Sequence, residues 1–230
     1  MTITPSTLLR GAAVAAVGAG AVFIGVQIGH PHVDPGFIAS AEGFIRNSAK
    51  ALMSVLALVG ITGIYLRQVR QAGVLGLVGY AVLALGYLLM AASVLMVANA
   101  LPTVAGISPG YVTDVAAAMT GGTPEGDIGT LRTLLRVQDL AYLGGGLILG
   151  VALFRARVLT RWATVLLAFS GVIAIAVSSL PDPFYRLVAV PNGVALVALG
   201  ISLWRSLPRT DRAVQQRVPA DRLTPAGSDL

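Results

Sequence analysis

The chain contains no cysteine. That excludes disulfide staples, thiolate metal sites and a cysteine nucleophile, and it leaves the redox compartment open. Charge is nearly as scarce. Asp, Glu, Lys and Arg make up 11% of the 230 residues, against about 25% in soluble domains. Lysine occurs once, at Lys50, and histidine only at His30 and His32. No HExxH motif and no late histidine are present, which removes zinc-protease and intramembrane serine-protease chemistry. There is no Walker or GxGxxG motif for a nucleotide. The midplane of the apolar segments lacks the carboxylate chain of a proton-driven pump.

What is present is apolar length. Hydrophobic residues make up 56% of the chain and the mean hydropathy is +0.82. Six apolar segments approach the roughly 20 residues needed to cross a bilayer: Leu8–Gly29, Ala49–Leu66, Val74–Ala100, Arg136–Phe154, Arg161–Leu180 and Phe184–Trp204. The expected fold is all-α, a polytopic membrane protein of six transmembrane helices over residues 1–205. Residues 206–230 are polar and Arg-rich and read as a disordered cytoplasmic tail. The first segment exceeds a signal-peptide core, and Ala39-Ser40-Ala41 lies too far beyond it for a cleavage site. Six helices, with Lys50 on the second, also argue against a retinal protein.

Orientation follows from the basic residues. With the N-terminus inside, eleven fall on the cytoplasmic side, among them Arg10, Arg67, Arg70, Arg155, Arg157, Arg161 and Arg205. Five fall outside: Arg46, Lys50, Arg132, Arg136 and Arg186. The positive-inside rule places both termini in the cytoplasm and the chain in the cell membrane. The net charge of +6 is thus a topology signal, and no nucleic-acid partner is expected.

Helices 2, 4 and 6 end alike, in Gly63-Ile-Tyr-Leu-Arg67, Gly150-Val-Ala-Leu-Phe-Arg155 and Gly200-Ile-Ser-Leu-Trp-Arg205. This reads as three helical hairpins repeated in parallel. In helix 1, Gly11, Gly18 and Gly25 recur at heptad spacing, which predicts a close-packed seam or, less favoured, a homodimer face. Tyr80 and Tyr87 recur likewise in helix 3 beside Gly79 and Gly86. The loop from Leu101 to Leu135 carries Ser108-Pro109, a helix start, and a segment to about Met119 that has the length of a lid.

Candidate chemistry gathers at the outer ends. Asp139 lies about a turn inside helix 4, beside Gln138 and after Arg136. An ionisable group in a span is a functional candidate, and the alternative is a pinning ion pair to Arg136 or Arg186. Pro191-Asn192-Gly193 predicts a kink in helix 6, and aligning the repeats sets Asn192 level with Tyr142. A polar cavity lined by Gln138, Asp139, Tyr142, Arg136, Arg186 and Asn192 follows. His30, His32 and Asp34 are the one metal-like cluster, but Pro31 holds the pair in an extended turn, so no metal and no cofactor are expected.

The chain resembles small six-helix bacterial membrane proteins, actinobacterial ones especially. The likeness rests on the Gly25-Val-Gln-Ile-Gly-His-Pro31 end of helix 1, the Gly63-Ile-Tyr-Leu-Arg-Gln-Val-Arg70 end of helix 2, and Ala152-Leu-Phe-Arg-Ala-Arg-Val-Leu159. The resemblance implies packing and topology, not an activity. Three functions are therefore carried forward. One is an outward-facing binding, sensing or accessory protein for a lipid or small amphipathic molecule. The second is an intramembrane enzyme on an apolar, isoprenoid-like substrate with Asp139 or Glu42 as general acid. The third is a structural subunit that assembles with copies of itself or with other membrane proteins.

Overall fold

The computed structural model describes residues 4–29, 31, 33–177 and 189–208. Among them there are helices and turns and no strand. The helices are α1 Pro5–Gly25, α2 Pro35–Ala39, α3 Ala41–Arg67, α4 Val69–Asn99, α5 Leu101–Ala105, α6 Pro109–Met119, α7 Leu131–Ala156, α8 Arg161–Val177 and α9 Ala189–Arg205. Four of these, α1, α3, α4 and α7, are long and apolar enough to cross a membrane. α8 and α9 are apolar but shorter within the described residues.

Local chemistry sets the starts. Thr4 caps α1 by accepting from the Thr7 amide, with Pro5 at the first helical position. Ser40 caps α3 in the same way through Gly43 N at 3.0 Å. The helix therefore begins at Ala41, eight residues before the apolar run that predicted it, and carries Glu42, Arg46 and Lys50 on its leading turns. In α4, Gly73 has φ 57°, a left-handed geometry that only glycine adopts without strain, and it separates a short leading turn from the long helix that starts at Val74. Arg157, with φ 56°, ends α7.

The long helices form a closed ring in chain order: α1 packs on α3, α3 on α4, α4 on α7, α7 on α8, α8 on α9, and α9 on α1. Neighbours run antiparallel, as paired contacts show. Gly79 meets Leu149 and Gly86 meets Tyr142 along α4 and α7, while Gly20 meets Gly193 and Gly200 meets Ala13 along α1 and α9. The interior is filled by Ile61, Leu83, Leu149, Leu153, Leu196 and Leu199 and their neighbours. The outside is apolar as well: Val14, Leu52, Val59, Leu77, Leu88, Leu140, Phe169 and Ile201 are exposed on six different helices. Soluble monomers rarely expose apolar surface on this scale, whereas a lipid-facing surface does so throughout.

The three repeat-ending glycines all lie at helix contacts. An added Cβ would strike Ala12 from Gly63, Ala168 from Gly150 and Ala13 from Gly200. The predicted seam of Gly11, Gly18 and Gly25 is corrected: Gly11 and Gly25 face open space and Gly18 reaches only Leu56 Cδ1 at 3.6 Å. The buried face of α1 is Ala12, Ala13, Ala16, Ala19 and Gly20. Pro191 is the third described residue of α9, and the turn before it, where a kink would show, lies outside the described residues.

One end of the ring collects Arg10, Arg67, Arg70, Arg155, Arg157, Arg161 and Arg205, and there Arg10 donates to Pro208 O and Arg67 to Ser206. The opposite end is capped by α2, α5 and α6. Their apolar faces, with Ile38, Leu101, Val112, Val115 and Ile128, form a second small core over the end of α4. α6 runs from Pro109 to Met119 as the loop sequence predicts, although Ser108 makes no side-chain cap.

Candidate functional site

The polar groups of the interior converge where α4, α7 and α9 meet. Asn192 is 3% exposed and donates from Nδ2 to the Tyr142 hydroxyl. The Tyr87 and Tyr142 rings meet edge to face, with centroids 5.5 Å apart and planes at 83°. Two atoms of this cluster, Tyr87 Oη and Asn192 Oδ1, are buried without a well-formed hydrogen bond, although the Tyr87 hydroxyl lies close to the Asn192 and Tyr142 side chains. The glycines explain how the site is shaped. Gly86 lets the α4 backbone approach Tyr142, and Gly145 does the same for α7 against Leu83. With the helices this close, the tyrosine rings on either side are held at fixed angles.

One turn toward the capped end, Gln138 is also buried and its Oε1 accepts from Ser93 Oγ at 2.7 Å. Gln138 Nε2 reaches Asp139 Oδ1 at 3.5 Å, a marginal contact. Asp139 itself is exposed on the outer surface of α7. Consecutive helical residues point about 100° apart, so burying Gln138 turns Asp139 outward. The expected pairing of Asp139 with Arg136 is not made: among the described residues the ion pair is Glu42–Arg46. Arg186 lies outside the described residues.

The remaining candidates are dispersed. Glu42 accepts from Arg46 Nε at 2.8 Å, and the same guanidinium donates to Val26 O, Ile28 O and Gly29 O at 2.9, 3.2 and 3.1 Å. It thereby closes the carbonyl end of α1, a clamp that the sequence did not disclose. Asp34 caps α2 by accepting from Phe37 N at 2.7 Å, while His30 and His32 lie outside the described residues. Arg136 faces a separate surface cleft with Arg132.

The six-residue cavity expected from the sequence is therefore resolved into parts. The structure brings Tyr142, Asn192 and Gln138 together in the interior, adds Tyr87 and Ser93, leaves Asp139 at the rim, and sends Arg136 elsewhere. Ser93 had a legible signal, since Gly79, Gly86 and Ser93 continue one heptad along the face of α4 that meets α7. Comparison with protein-family models, curated proteins and solved structures returned no significant match.

Proposed function

We propose that the chain is a six-span protein of the cell membrane, built as three antiparallel hairpins with both termini cytoplasmic. In this reading it acts as an outward-facing binding, sensing or accessory protein for a lipid or small amphipathic molecule. The observation that supports the binding reading is the buried polar cluster of Tyr87, Tyr142 and Asn192 inside an otherwise apolar ring, in which Tyr87 Oη and Asn192 Oδ1 lack a well-formed hydrogen bond. A buried polar atom without a partner costs about 1–3 kcal/mol. A ligand hydroxyl or amide satisfies both at once, accepting from Tyr87 and donating to Asn192. Gln138 and Ser93 lead from this centre toward Asp139 at the capped end.

The orientation draws on charge. Seven arginines and no carboxylate lie at the uncapped end among the described residues, while Asp34, Glu42, Asp114, Glu125, Asp127 and Asp139 all lie toward the other. In the alternative enzyme reading, Glu42 is already held by Arg46, which leaves Asp139 as the candidate acid.

The test is native mass spectrometry of the detergent-purified protein, wild type beside Asn192→Ala and Asp139→Ala. A discrete bound mass in the wild type that is lost from Asn192→Ala supports the binding reading and gives the ligand's mass. Empty spectra from all three, in the same oligomeric state, count against it. Turnover of that ligand, abolished by Asp139→Asn, would move the assignment to the enzyme.

A further inference from the structure

The structure leaves two guanidinium groups unmatched at the capped end. Arg132 and Arg136 stand one turn apart on the same face of α7 and are both exposed. With Thr123 and the Gly121–Gly122 turn after α6 they line a cleft of about 190 Å³. Among the described residues neither guanidinium and no Thr123 hydroxyl has a hydrogen-bond or ion-pair partner. Two nearby carboxylates order the adjoining loop: Asp114 Oδ1 accepts from Glu125 N at 2.8 Å and Asp127 Oδ1 accepts from Gly129 N at 2.7 Å. Those bonds fix the loop that forms the cleft wall, and no carboxylate is among the residues that line the cleft itself.

We propose that this cleft binds a phosphate-bearing anion. Two planar guanidinium forks one turn apart are the arrangement that pairs with tetrahedral phosphate oxygens, each fork donating two N–H groups. Thr123 also lines the cleft and carries a hydroxyl that can act as a third donor. Size narrows the ligand. A cleft of about 190 Å³ lies below the roughly 300–1,000 Å³ of a site that encloses a whole small molecule, so it takes a headgroup and leaves the remainder outside. Directly along α7 from Arg136, Leu140 is 72% exposed, Gly144 has open space beside it, and Leu147 is again exposed. These positions form an apolar track, flanked by Asp139 at its start, on which an acyl chain attached to that headgroup would lie. The assignment deepens the lipid-binding reading above and rests on it for the choice of lipid probe. The cleft itself shares no residue with the Tyr87–Tyr142–Asn192 centre.

The experiment titrates the full-length detergent-purified protein, followed by native mass spectrometry, with short-chain phosphatidylglycerol, short-chain phosphatidylcholine and inorganic phosphate. Phosphatidylglycerol is expected to bind in preference to phosphatidylcholine, whose choline cancels the charge. Arg132→Gln/Arg136→Gln is expected to weaken that binding at least ten-fold while Gly11→Ala, where nothing lies within 4 Å, leaves it unchanged. If inorganic phosphate binds with the same dependence on the arginines and the lipid does not, the cleft serves a soluble phosphate compound and the proposal stands. Thr123→Glu, an exposed loop substitution that places a carboxylate in the cleft, gives the same loss should the double variant fail to fold. Absence of binding by either phosphate probe, equal binding of the two lipids, or full binding by the arginine and Thr123→Glu variants overturns the proposal. Loss of a ligand in Asn192→Ala alone would leave the interior site intact as a reading and this cleft refuted.

Discussion

A single methyl group at Gly20 probes the closure of the helix ring. A Cβ built there collides with the carbonyl oxygen of Gly193 and lies 2.8 Å from Val197 Cγ2 and 3.0 Å from Val197 N. Two of these obstacles are backbone of α9, so no rotamer change removes them. Bringing the Val197 contact to an ordinary separation of 3.4 Å needs roughly 0.6 Å of displacement between α1 and α9. A gap of 0.5–1 Å forfeits about a quarter to a half of each dispersion contact along a seam, and overpacking of this kind costs about 1–3 kcal/mol. Gly11→Ala is the matched control, because nothing lies within 4 Å of that position and alanine in a helix gains up to ~1 kcal/mol over glycine. Gly20→Ala shares that helix-propensity gain, so the two variants should differ by the overpacking cost alone, about 1–3 kcal/mol. At roughly 2–4 °C per kcal/mol for a chain of this size, the Tm of Gly20→Ala should fall about 2–12 °C below that of Gly11→Ala. Intrinsic fluorescence of Trp162 and Trp204, the two tryptophans, reports the transition in detergent. A Gly20→Ala protein that melts with Gly11→Ala or above it refutes the packing of α1 on α9.

Further outcomes follow from the polar contacts. Ser93→Ala strands Gln138 Oε1 in the interior and should destabilise by about 1–2 kcal/mol, whereas Ser93→Ala/Gln138→Leu should recover most of that loss; additive losses in the two-variant cycle would refute the pairing. Arg46→Met removes the clamp on Val26, Ile28 and Gly29 and should lower the Tm by several degrees, about 1–2 kcal/mol given its partial exposure. Arg46→Lys should restore little, since one ammonium cannot span three carbonyls and Glu42; full restoration would reduce the clamp to simple charge.

Much of the fold was legible because the bilayer imposes length, and long apolar runs are hard to mistake. Each predicted segment overlaps a helix, and the start at Val74 coincides with the break at Gly73. The ends were less legible where charged residues extend a helix ahead of its apolar run, as in α3, which Ser40 caps eight residues before Ala49. α2 and α5 have five residues each, too few to show a period. Rotation about the helix axis was the harder problem. α1 is apolar on every side, so nothing in Gly11, Gly18 and Gly25 reveals that Ala12, Ala16 and Gly20 face inward. The same ambiguity reversed Asp139 and Gln138: the charge drew attention, while the neighbouring amide occupies the interior. The level of Asn192 with Tyr142 was legible, because the repeated Gly–Leu–Arg endings of α7 and α9 set a common register from the basic end.

In the proposed topology the two ends of the ring lie on opposite sides of the membrane. The cysteine-free chain allows a direct measurement with two single-cysteine variants, Glu125→Cys in the capped end and Gln71→Cys in the exposed leading turn of α4. Treatment of intact cells with a membrane-impermeant maleimide should label Glu125→Cys at once and Gln71→Cys only after lysis. Labelling of Gln71→Cys alone in intact cells would invert the orientation and with it the outward-facing site. Equal labelling of both would contradict a membrane-spanning ring.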